Sequence, residues 1–272
     1  RQMCIRDRVS SETRVGSERR PLRVVRLGSP AKVQARLEAT TLGAQAALTP
    51  LGRKAAAMRA EARGDYTSRG AATRRLALQL ETQAAHAVLR AADVVCATCV
   101  GAGDDLLEGF TFRVACVDEA AQCPEPAAMI PVCKALTCVL VGDAKQLPPT
   151  VCSGEARAAG LETSLFARLA ASGQLPPSLL RTQYRMHPLI RAWPSSYFYA
   201  GRLEDAPEAK ARAPVAALPS PVLFCDVAEG RDEKAPVGSS MLNRAEVAAA
   251  VSVVQRLRSE LPAASLCVLA PY

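Results

Sequence analysis

Two short apolar runs, each ending in an acidic residue, constrain the fold of this chain more than any other feature. Residues 114–117 lead into Asp118 and Glu119, and residues 137–141 lead into Gly142 and Asp143. Because both runs are continuous rather than alternating, they predict strands covered on both faces of a parallel sheet. Ligands bind such sheets at the carboxyl ends of the strands, where these acids fall. The pattern therefore predicts an α/β fold with a ligand site at one sheet edge.

The acid pair has a specific chemical use. A strand-terminal acid such as Asp118 can hold Mg²⁺ at the phosphates of a nucleotide, and a neighbouring carboxylate such as Glu119 can deprotonate an attacking water. After the second run, Gln146 lies in a loop stiffened by two prolines, and an amide can donate to a phosphate oxygen and accept from a water. The alternative is a pair of solvated acids at a strand end.

Three segments together resemble motifs II, III and IV of the superfamily 1 helicases: DEAAQ at 118–122, GDAKQLPPT at 142–150 and QYRMHP at 183–188. They are most similar to the subgroup that contains the nonsense-mediated-decay helicase, senataxin and the immunoglobulin-mu-binding helicase. The resemblance covers roughly residues 22–272. It implies an α/β chain of two partial RecA-like parallel-sheet domains with a helical insertion in the first. It also implies ATP hydrolysis coupled to 5′-to-3′ movement on single-stranded RNA or DNA.

The resemblance also implies roles for individual residues. Asp118 would hold Mg²⁺, Glu119 would activate water, and Gln146 would sense the γ-phosphate of ATP. Arg185 would reach the phosphates from the second domain, because a planar guanidinium suits phosphoryl charge; a surface ion pair is the alternative. Tyr184 would stack on the adenine. Two further nucleotide-binding candidates are Asp143 and Gln183.

A second group of candidates concerns the nucleic-acid strand. The segment TCVGAG at 98–103 is a turn of small residues that lets backbone amides approach a phosphate, and it resembles the family's motif Ic. An ordinary glycine turn is the alternative. The segment RVVRLGSPAKV at 23–33 resembles a stretch near the nucleic-acid path of these helicases, and its Ser29 is a candidate cap for a helix beginning at Pro30. The candidate nucleic-acid contacts are Arg26, Thr98, Gly101 and Pro148.

The net charge of +8 is unevenly distributed. Residues 1–26 and residues 51–91 each contain 8 basic and 3 acidic side chains, whereas residues 92–272 contain 16 basic and 19 acidic ones. Clustered arginine is typical of phosphate-backbone binding, and a solvated helix surface is the equally weighted alternative. The arginines of the second basic segment that could line a nucleic-acid channel are Arg53, Arg59, Arg63, Arg69, Arg74 and Arg75.

Breaks in the sequence divide the chain into domains. Residues 1–21 lack periodicity and are predicted to be a disordered or non-native tail. Residues 22–173 are the predicted first RecA-like domain, with the helical insertion at about residues 51–91. A Pro-Pro break then leads into residues 174–272, the predicted second domain, which we expect to be truncated.

Several elements are predicted inside these domains. The insertion reads as a hairpin broken by Gly64 and Gly70. A further helix is expected at residues 162–171. Two more buried strands are predicted at 222–227 and 265–270, separated by an amphipathic helix whose cap is Asn243. One apolar face of the insertion is predicted at Leu76, Leu80, Ala84 and Val88.

Departures from the family pattern bear on activity. The sequence contains no G-x-x-x-x-G-K-[ST], so it lacks the amide cradle and lysine that hold ATP phosphates. It begins with Arg1 rather than Met and stops at Tyr272, before a last arginine motif, which suggests a fragment. We therefore expect this chain by itself to hydrolyse ATP poorly or not at all. One alternative is a catalytically inactive nucleic-acid-binding or scaffold module. Another is a Cys/His hydrolase that uses His187 and one of the cysteines. For His187 the simpler prediction is a structural role, in which it holds its local turn.

Ten cysteines are spread along the chain, mostly within apolar runs, as buried reduced thiols are in an intracellular protein. The one Cys-x-x-Cys motif consists of Cys96 and Cys99. A zinc site would need a second pair of ligands at suitable spacing. There is no run of 18 apolar residues and no apolar signal region. The sequence therefore predicts no membrane partner and a location in the nucleus or cytoplasm.

Overall fold

The computed structural model describes residues 21–28, 33–175, 177–212, 218–234, 240–263 and 265–270, and the backbone of residues 14–15 and 18–19. The chain divides into two compact units, residues 1–176 and residues 177–272. The candidate cap Ser29 and its Pro30 lie outside the described residues, as does most of the predicted tail. Within that tail, β1 (Arg14–Val15) pairs antiparallel with β2 (Glu18–Arg19).

The first unit alternates strands and helices and contains two parallel strand pairs, β3 with β4 and β5 with β6. This confirms the predicted α/β class and its parallel pairing. Its elements are β3 (Val24–Arg26), α1 (Leu42–Ala47), α2 (Pro50–Glu61), α3 (Ser68–Ala91), β4 (Val94–Cys96), β5 (Phe112–Val117), α4 (Glu125–Val132), β6 (Ala135–Leu140), α5 (Gly154–Ala158) and α6 (Leu165–Ala171). Single turns of 3₁₀ helix cover Ala35–Thr40, Val100–Gly103, Asp105–Leu107 and Ala120–Gln122.

The helices α2 and α3 form the expected hairpin, but two details of the prediction are wrong. Gly70 lies in the first turn of α3 instead of breaking it, and Leu76 is 46% exposed. Leu80 and Ala84 are buried as predicted, and Ala77 takes the place of Leu76 in the buried stripe. An α-helix repeats every 3.6 residues, so positions spaced strictly four apart drift around its axis. That this hairpin is an insertion stays a prediction.

The largest core cluster lies between the β3–β4 pair and the C-terminal half of α3. Removing each large aliphatic side chain from water contributes roughly 1.5–3 kcal/mol before the entropy cost of ordering it. A smaller cluster joins α2 to α3 through Ala55, Ala77 and Leu80. The buried residues of the larger cluster are Val25, Leu27, Leu42, Ala85, Leu89 and Leu107.

The pair β5–β6 is less covered than its apolar sequence predicted. Val114 is 55% exposed and Leu136 is 76% exposed, whereas Val117, at the end of β5, is buried. Within the described residues α4 packs against both strands. Apolar composition permits burial on two faces but does not supply the elements that cover them. The expectation that β5 and β6 are covered on both faces is therefore wrong for the described residues.

The second unit contains β7 (Thr182–Gln183), α7 (Pro188–Tyr199), β8 (Glu204–Asp205), α8 (Pro207–Lys210), β9 (Asp232–Lys234), β10 (Met241–Asn243) and α9 (Arg244–Glu260). β7 pairs in parallel with β8, and β9 pairs antiparallel with β10. The predicted cap is confirmed, because the Asn243 side chain accepts the Glu246 N–H at 3.2 Å. No helix in the described part of the chain has the length and apolar character needed to cross a membrane.

The prediction of strands at residues 222–227 and 265–270 is wrong. Both segments are irregular, and Phe224 is 93% exposed. A strand needs a neighbour to pair its backbone N–H and C=O groups, and an apolar run does not provide one. Neither segment pairs with another strand among the described residues.

Candidate functional site

The two acid-terminated strands end at the same edge of their parallel pair. Asp118 follows β5 and Gly142 follows shortly after β6 in the parallel register. Backbone hydrogen bonds continue past the strands: the Val141 N–H donates to the Val117 carbonyl at 2.9 Å, and the Ala120 N–H donates to the Val141 carbonyl at 2.8 Å. The acid loop and the glycine loop are therefore joined directly through their backbones.

Gly142 permits this close approach. A Cβ atom at that position would lie 2.8 Å from the backbone nitrogen of Ala121 and 3.2 Å from that of Ala120. Because the first distance is shorter than real Cβ contacts, any larger residue would force one of the two backbones to move. The glycine of the GDAKQ segment is thus required by the neighbouring loop.

Glu119 holds a left-handed backbone conformation with φ 53° and ψ 37°. Few residues other than glycine adopt it, and such strain concentrates at functional sites. Asp118 stabilises the turn, since its Oδ1 accepts the Glu119 N–H at 3.0 Å. The Nε2 of Gln122 donates to Oε2 of Glu119 at 3.1 Å. Both acids are exposed. Sequence reasoning missed Gln122, although it is the last residue of the DEAAQ motif.

Asp143 organises the following loop. Its Oδ1 accepts the Lys145 N–H at 3.0 Å, and its Oδ2 accepts from Nε2 of Gln146 at 2.8 Å. One N–H of the Gln146 side-chain amide is therefore held by Asp143, and the amide oxygen makes no hydrogen bond within the described residues. The structure brings Asp118, Glu119 and the loop of Gln146 to one edge. It shows no hydrogen bond between the acid pair and Gln146 among those residues.

The donor set at this edge suits a magnesium nucleotide better than a metal held by protein alone. In the described part of the chain, no group of three or more His, Cys, Asp or Glu side chains is arranged to hold a metal. Mg²⁺ commonly takes one or two carboxylates and completes its shell with phosphates and water, so Asp118 fits. Among the described residues, Cys96 and Cys99 are likewise not accompanied by the further ligands that a zinc site requires.

The turn at residues 98–103 satisfies its own amides. Oγ1 of Thr98 accepts the Gly101 N–H at 3.0 Å, and the Thr98 carbonyl accepts the Ala102 N–H at 2.9 Å. These two amides are therefore used within the turn, and contact of Thr98 and Gly101 with a nucleic-acid backbone stays a prediction. Thr98 itself is exposed, and Val100 is 68% exposed. Contact with a strand would therefore use the side chains of the turn.

Arg26 and Pro148 differ in exposure. Arg26 lies in β3 opposite Cys96 and is half-buried, with Nη1 buried and without a hydrogen-bond partner in the described residues. Burial raises the pKa of the Cys96 thiol, and the Arg26 guanidinium acts in the opposite direction. An unpartnered buried donor is costly, and the contact of Arg26 with a nucleic-acid strand stays a prediction. Pro148 is exposed in the loop after Gln146.

The six candidate arginines of the α2–α3 hairpin divide into those bonded within the chain and those without an ion pair in the described residues. Arg53 belongs to the first class, because its Nη1 donates to the Leu48 carbonyl at 2.7 Å. Arg59 forms a bidentate pair with Glu81, and Arg74 donates to the Asp65 carbonyl at 2.5 Å. These side chains hold the two helices together. Three others, Arg63, Arg69 and Arg75, have no ion pair with another described residue. The charge of Arg63 and Arg75 is available to an external phosphate, whereas Arg69 also attracts the Asp65 carboxylate and lowers its pKa.

Gln183 is fully engaged inside the second unit. Its Nε2 donates to the Met186 carbonyl at 2.9 Å and to Oδ1 of Asp205 at 2.6 Å. Its Oε1 accepts the Arg185 N–H at 2.9 Å and the Met186 N–H at 2.7 Å. These four bonds use the whole capacity of a side-chain amide. Gln183 therefore holds the turn, and direct nucleotide binding by it stays a prediction that requires one bond to be exchanged.

Asp205 anchors this turn to α7. Its carboxylate forms a bidentate pair with Arg191 at 3.0 and 2.7 Å, and its side chain is only 5% exposed. The hydrogen bond from Arg191 lowers the pKa of Asp205 despite the opposing effect of burial, and Gln183 lowers it further. Sequence reasoning missed both residues of the pair.

The network leaves the two predicted nucleotide contacts open. Tyr184 is 62% exposed, and Arg185 is exposed without an ion pair among the described residues. The surface ion pair considered for Arg185 is therefore not observed there. The predicted structural role of His187 is confirmed, because its Nδ1 accepts the Leu189 N–H at 3.2 Å and begins α7.

Comparison with known proteins gives matches over both units. Two different family models, each described as an AAA domain, match residues 45–154 and residues 161–272. The chain is 41% identical over 204 residues to a regulator of nonsense transcripts 1 homolog of Neurospora crassa, covering 71% of this chain and 18% of that protein.

Two yeast proteins are also similar. The chain is 38% identical over 195 residues to the ATP-dependent helicase NAM7 of Saccharomyces cerevisiae, covering 68% of this chain and 20% of that protein. It is 38% identical over 177 residues to helicase SEN1 of the same organism, covering 62% and 8%. The chain thus spans about a fifth or less of the length of these relatives.

Proposed function

This chain belongs to the superfamily 1 helicases that carry two AAA domains, and from that membership we propose that it is the core of an ATP-driven motor acting on single-stranded RNA or DNA. The observation that supports this most is the junction of the acid loop with the glycine loop. Backbone bonds at that junction hold a strand-terminal acid pair beside a tethered glutamine. Such an arrangement is suited to a triphosphate.

Each residue of this edge would have a defined task. The Asp118 carboxylate would hold Mg²⁺. When bound, this ion would neutralise negative charge on the phosphates. The Glu119 carboxylate would accept a proton from water, and Gln122 would keep that carboxylate oriented. Gln146 would meet the γ-phosphate with its remaining amide hydrogen, and Asp143 would hold it in position.

Arg185 and Tyr184 are proposed to serve the same reaction. Their support is the family's motif and their exposure on a turn held by part-buried hydrogen bonds. Arg185 would bring positive charge to the transferring phosphoryl group, and Tyr184 would stack on the adenine.

The nucleic-acid surface is proposed to include Thr98 and the free arginines of the hairpin. Arg63 and Arg75 would supply charge without losing an internal partner, and Arg69 would add charge beside Asp65. We also propose an intracellular location, since every cysteine in the described residues is a free thiol.

Two measurements test this function. Labelled single-stranded RNA or DNA should bind the chain with an affinity that falls steeply with salt, as measured by fluorescence anisotropy. In the full-length protein, Glu119→Gln should abolish strand-stimulated ATP hydrolysis while leaving strand binding intact.

The second candidate, which stays open because residues 1–272 contain no G-x-x-x-x-G-K-[ST], is a catalytically inactive nucleic-acid-binding or scaffold module. Strand binding by a full-length protein that never hydrolyses ATP would establish that alternative. Robust ATP turnover by the 272-residue chain alone, lost on Glu119→Gln, would contradict our expectation that it is inactive by itself.

A further inference from the structure

One peptide group of the QYRMHP turn is held at both of its polar atoms. It joins Tyr184 to Arg185, the two residues proposed to meet the nucleotide. The Arg185 N–H donates to Oε1 of Gln183 at 2.9 Å, and the Tyr184 carbonyl accepts from Nη2 of Arg212 at 3.1 Å. A trans peptide group is planar, and its N–H and C=O point in opposite directions. Two holds at these atoms therefore fix the direction of the whole plane.

Both holds lead to one segment, residues 204–212, which contains β8 and α8. The parallel register places Gln183 opposite Asp205, and Oδ1 of Asp205 accepts from Nε2 of Gln183 at 2.6 Å. The Gln183 carbonyl also accepts the Ala206 N–H at 3.0 Å. Arg212 follows α8 and reaches back to the turn from the other end of the segment. We call residues 204–212 the clamp segment.

The clamp segment is anchored within the second unit. Ala206 and Ala209 are buried, and Arg191 of α7 forms a bidentate pair with the Asp205 carboxylate at 3.0 and 2.7 Å. The Ala209 carbonyl accepts the Arg212 N–H at 3.3 Å, so the backbone of Arg212 continues directly from α8. Buried backbone opens less readily than an exposed turn. The clamp segment can therefore serve as the fixed support of the turn that it contacts.

We propose that Asp205 and Arg212 are positioning residues for the ATP hydrolysis proposed above, and that they act by clamping the peptide group between Tyr184 and Arg185. Asp205 acts through Gln183 on the Arg185 N–H, and Arg212 acts on the Tyr184 carbonyl. Neither side chain would touch the nucleotide. This role rests on the proposed function, because the clamp would aim the Arg185 guanidinium at the transferring phosphoryl group.

The direction of this peptide group matters because the rate depends steeply on where the guanidinium lies. A displacement of about 1 Å can cost roughly 10²-fold in rate. A backbone that is fixed before the nucleotide arrives does not have to be ordered during the reaction. Arg212 supplies one exposed hydrogen bond, so its loss should cost about tenfold or less. Neither Asp205 nor Arg212 belongs to the QYRMHP motif, so the motif by itself does not reveal the clamp.

Hydrogen exchange of the 272-residue chain tests the clamp without ATP. Mass spectrometry follows the peptide that covers residues 183–186. Its backbone amides should exchange faster in Arg212→Ala and in Asp205→Ala, because each change releases one side of the clamp. Arg202→Ala is the matched control, since Arg202 also donates to a backbone carbonyl, that of Tyr199, outside the turn. Arg212→Ala decides the result if Asp205→Ala is too unstable to compare, and unchanged exchange in Arg212→Ala would overturn the proposal.

A double-substitution cycle in the full-length protein tests what the clamp does. Arg212→Ala should lower the turnover number for ATP by about tenfold or less, and its thermal unfolding should match that of Arg202→Ala. In an Arg185→Ala background the same substitution should have no further effect on turnover, since a positioning residue acts only through the group that it positions. An equal loss of turnover in both backgrounds would overturn the proposal.

The two tests separate the clamp from the proposed function. If the unsubstituted full-length protein never hydrolyses ATP, the proposed function and the catalytic use of the clamp both fail. Faster exchange in Arg212→Ala would then still show that the clamp holds the turn. If the full-length protein hydrolyses ATP and Arg212→Ala has the turnover and the exchange of its control, the proposed function stands and the clamp fails.

Discussion

The acid edge of the first unit and the QYRMHP turn of the second expose their side chains by different means. At the acid edge, exposed groups hold one another: Gln122 orients Glu119, and Asp143 tethers Gln146. At the QYRMHP turn, a half-buried amide bonds to the buried Asp205 carboxylate and leaves its neighbours open. Water competes with exposed hydrogen bonds and hardly at all with buried ones. We therefore expect the acid edge to be adjustable and the turn to be rigid.

The largest expected effect separates chemistry from stability at the turn. Arg185→Ala in the full-length protein should lower the turnover number for ATP by about 10³-fold or more, about 4 kcal/mol of activation free energy. Its stability should be unchanged, because the guanidinium has no ion pair to lose among the described residues. Steady-state kinetics measure the first and thermal unfolding the second. Arg202→Ala, another exposed arginine of this unit, is the control, and equal turnover in both variants would remove Arg185 from the mechanism.

The second effect tests the rigidity of the turn itself. Asp205→Ala leaves the Arg191 guanidinium and the Gln183 amide without their partner, and should lower the free energy of unfolding by roughly 3 kcal/mol. The adjacent Glu204→Ala removes an exposed ion pair with Arg181, and should cost less than about 1 kcal/mol. Urea unfolding followed by fluorescence of Trp193, the single tryptophan, compares them. Similar losses in both variants would show that burial does not distinguish these pairs.

A third, smaller effect tests how tightly the acid edge is packed. Gly142→Ala places a Cβ against the backbone of the acid loop and should lower stability by about 1–3 kcal/mol. The matched control is Gly154→Ala, where nothing lies within 4 Å of the added carbon. Both are measured by chemical denaturation. If Gly142→Ala unfolds at the same denaturant concentration as its control, the two loops are not held together as the structure indicates.

Next in size is the effect of Gln122, which acts on Glu119 through one exposed hydrogen bond. Gln122→Ala should reduce ATP turnover by roughly tenfold or less, the equivalent of about 1 kcal/mol. Because the bond positions the carboxylate, the pH profile of turnover should change while the KM for ATP stays constant. Gln122→Asn is too short to reach Glu119 in the same way and should behave like alanine. An unchanged pH profile of ATP turnover in both variants would show that Gln122 does not position Glu119 for catalysis.

The smallest effect is an acid dependence of stability that belongs to the turn. The folded-state pKa of Asp205 is lowered, so its contribution to stability is present above the unfolded pKa of about 3.9 and is lost as the pH falls through the folded pKa. Asp205→Asn should therefore be less stable than the unsubstituted chain at neutral pH, and the difference should shrink in acid. Unfolding measured across that pH range checks it; a constant difference would refute the assignment.

Much of the acid edge could be predicted from the sequence, because its features are local. The apolar runs at residues 114–117 and 137–141 contain the information for two adjacent parallel strands, and both lie within observed strands or directly beyond them. Caps at His187 and Asn243 depend on a side chain and an amide two or three residues apart. Such short-range chemistry can be read along a chain.

The errors have equally physical causes. The buried stripe of α3 is set by which helices and strands pack against it, so a spacing of four misplaced Leu76. The segments at 222–227 and 265–270 have the composition of strands but no pairing partner in the described part of the chain. The motif gave no sign that the Gln183 amide is fully bonded within the turn, and nucleotide binding by Gln183 stays a prediction.

By itself, the sequence determined the α/β class, the strand-terminal acids, the family and the order of its motifs, because these are recorded in neighbouring residues. Only the tertiary structure decided that Gln183 binds Asp205 and that the Ala120 amide meets the Val141 carbonyl, residues 22 and 21 positions apart. Contacts at such separations depend on where packing carries each backbone. The composition of a segment does not specify that path, since hydrophobic burial is non-directional and many arrangements satisfy the same pattern.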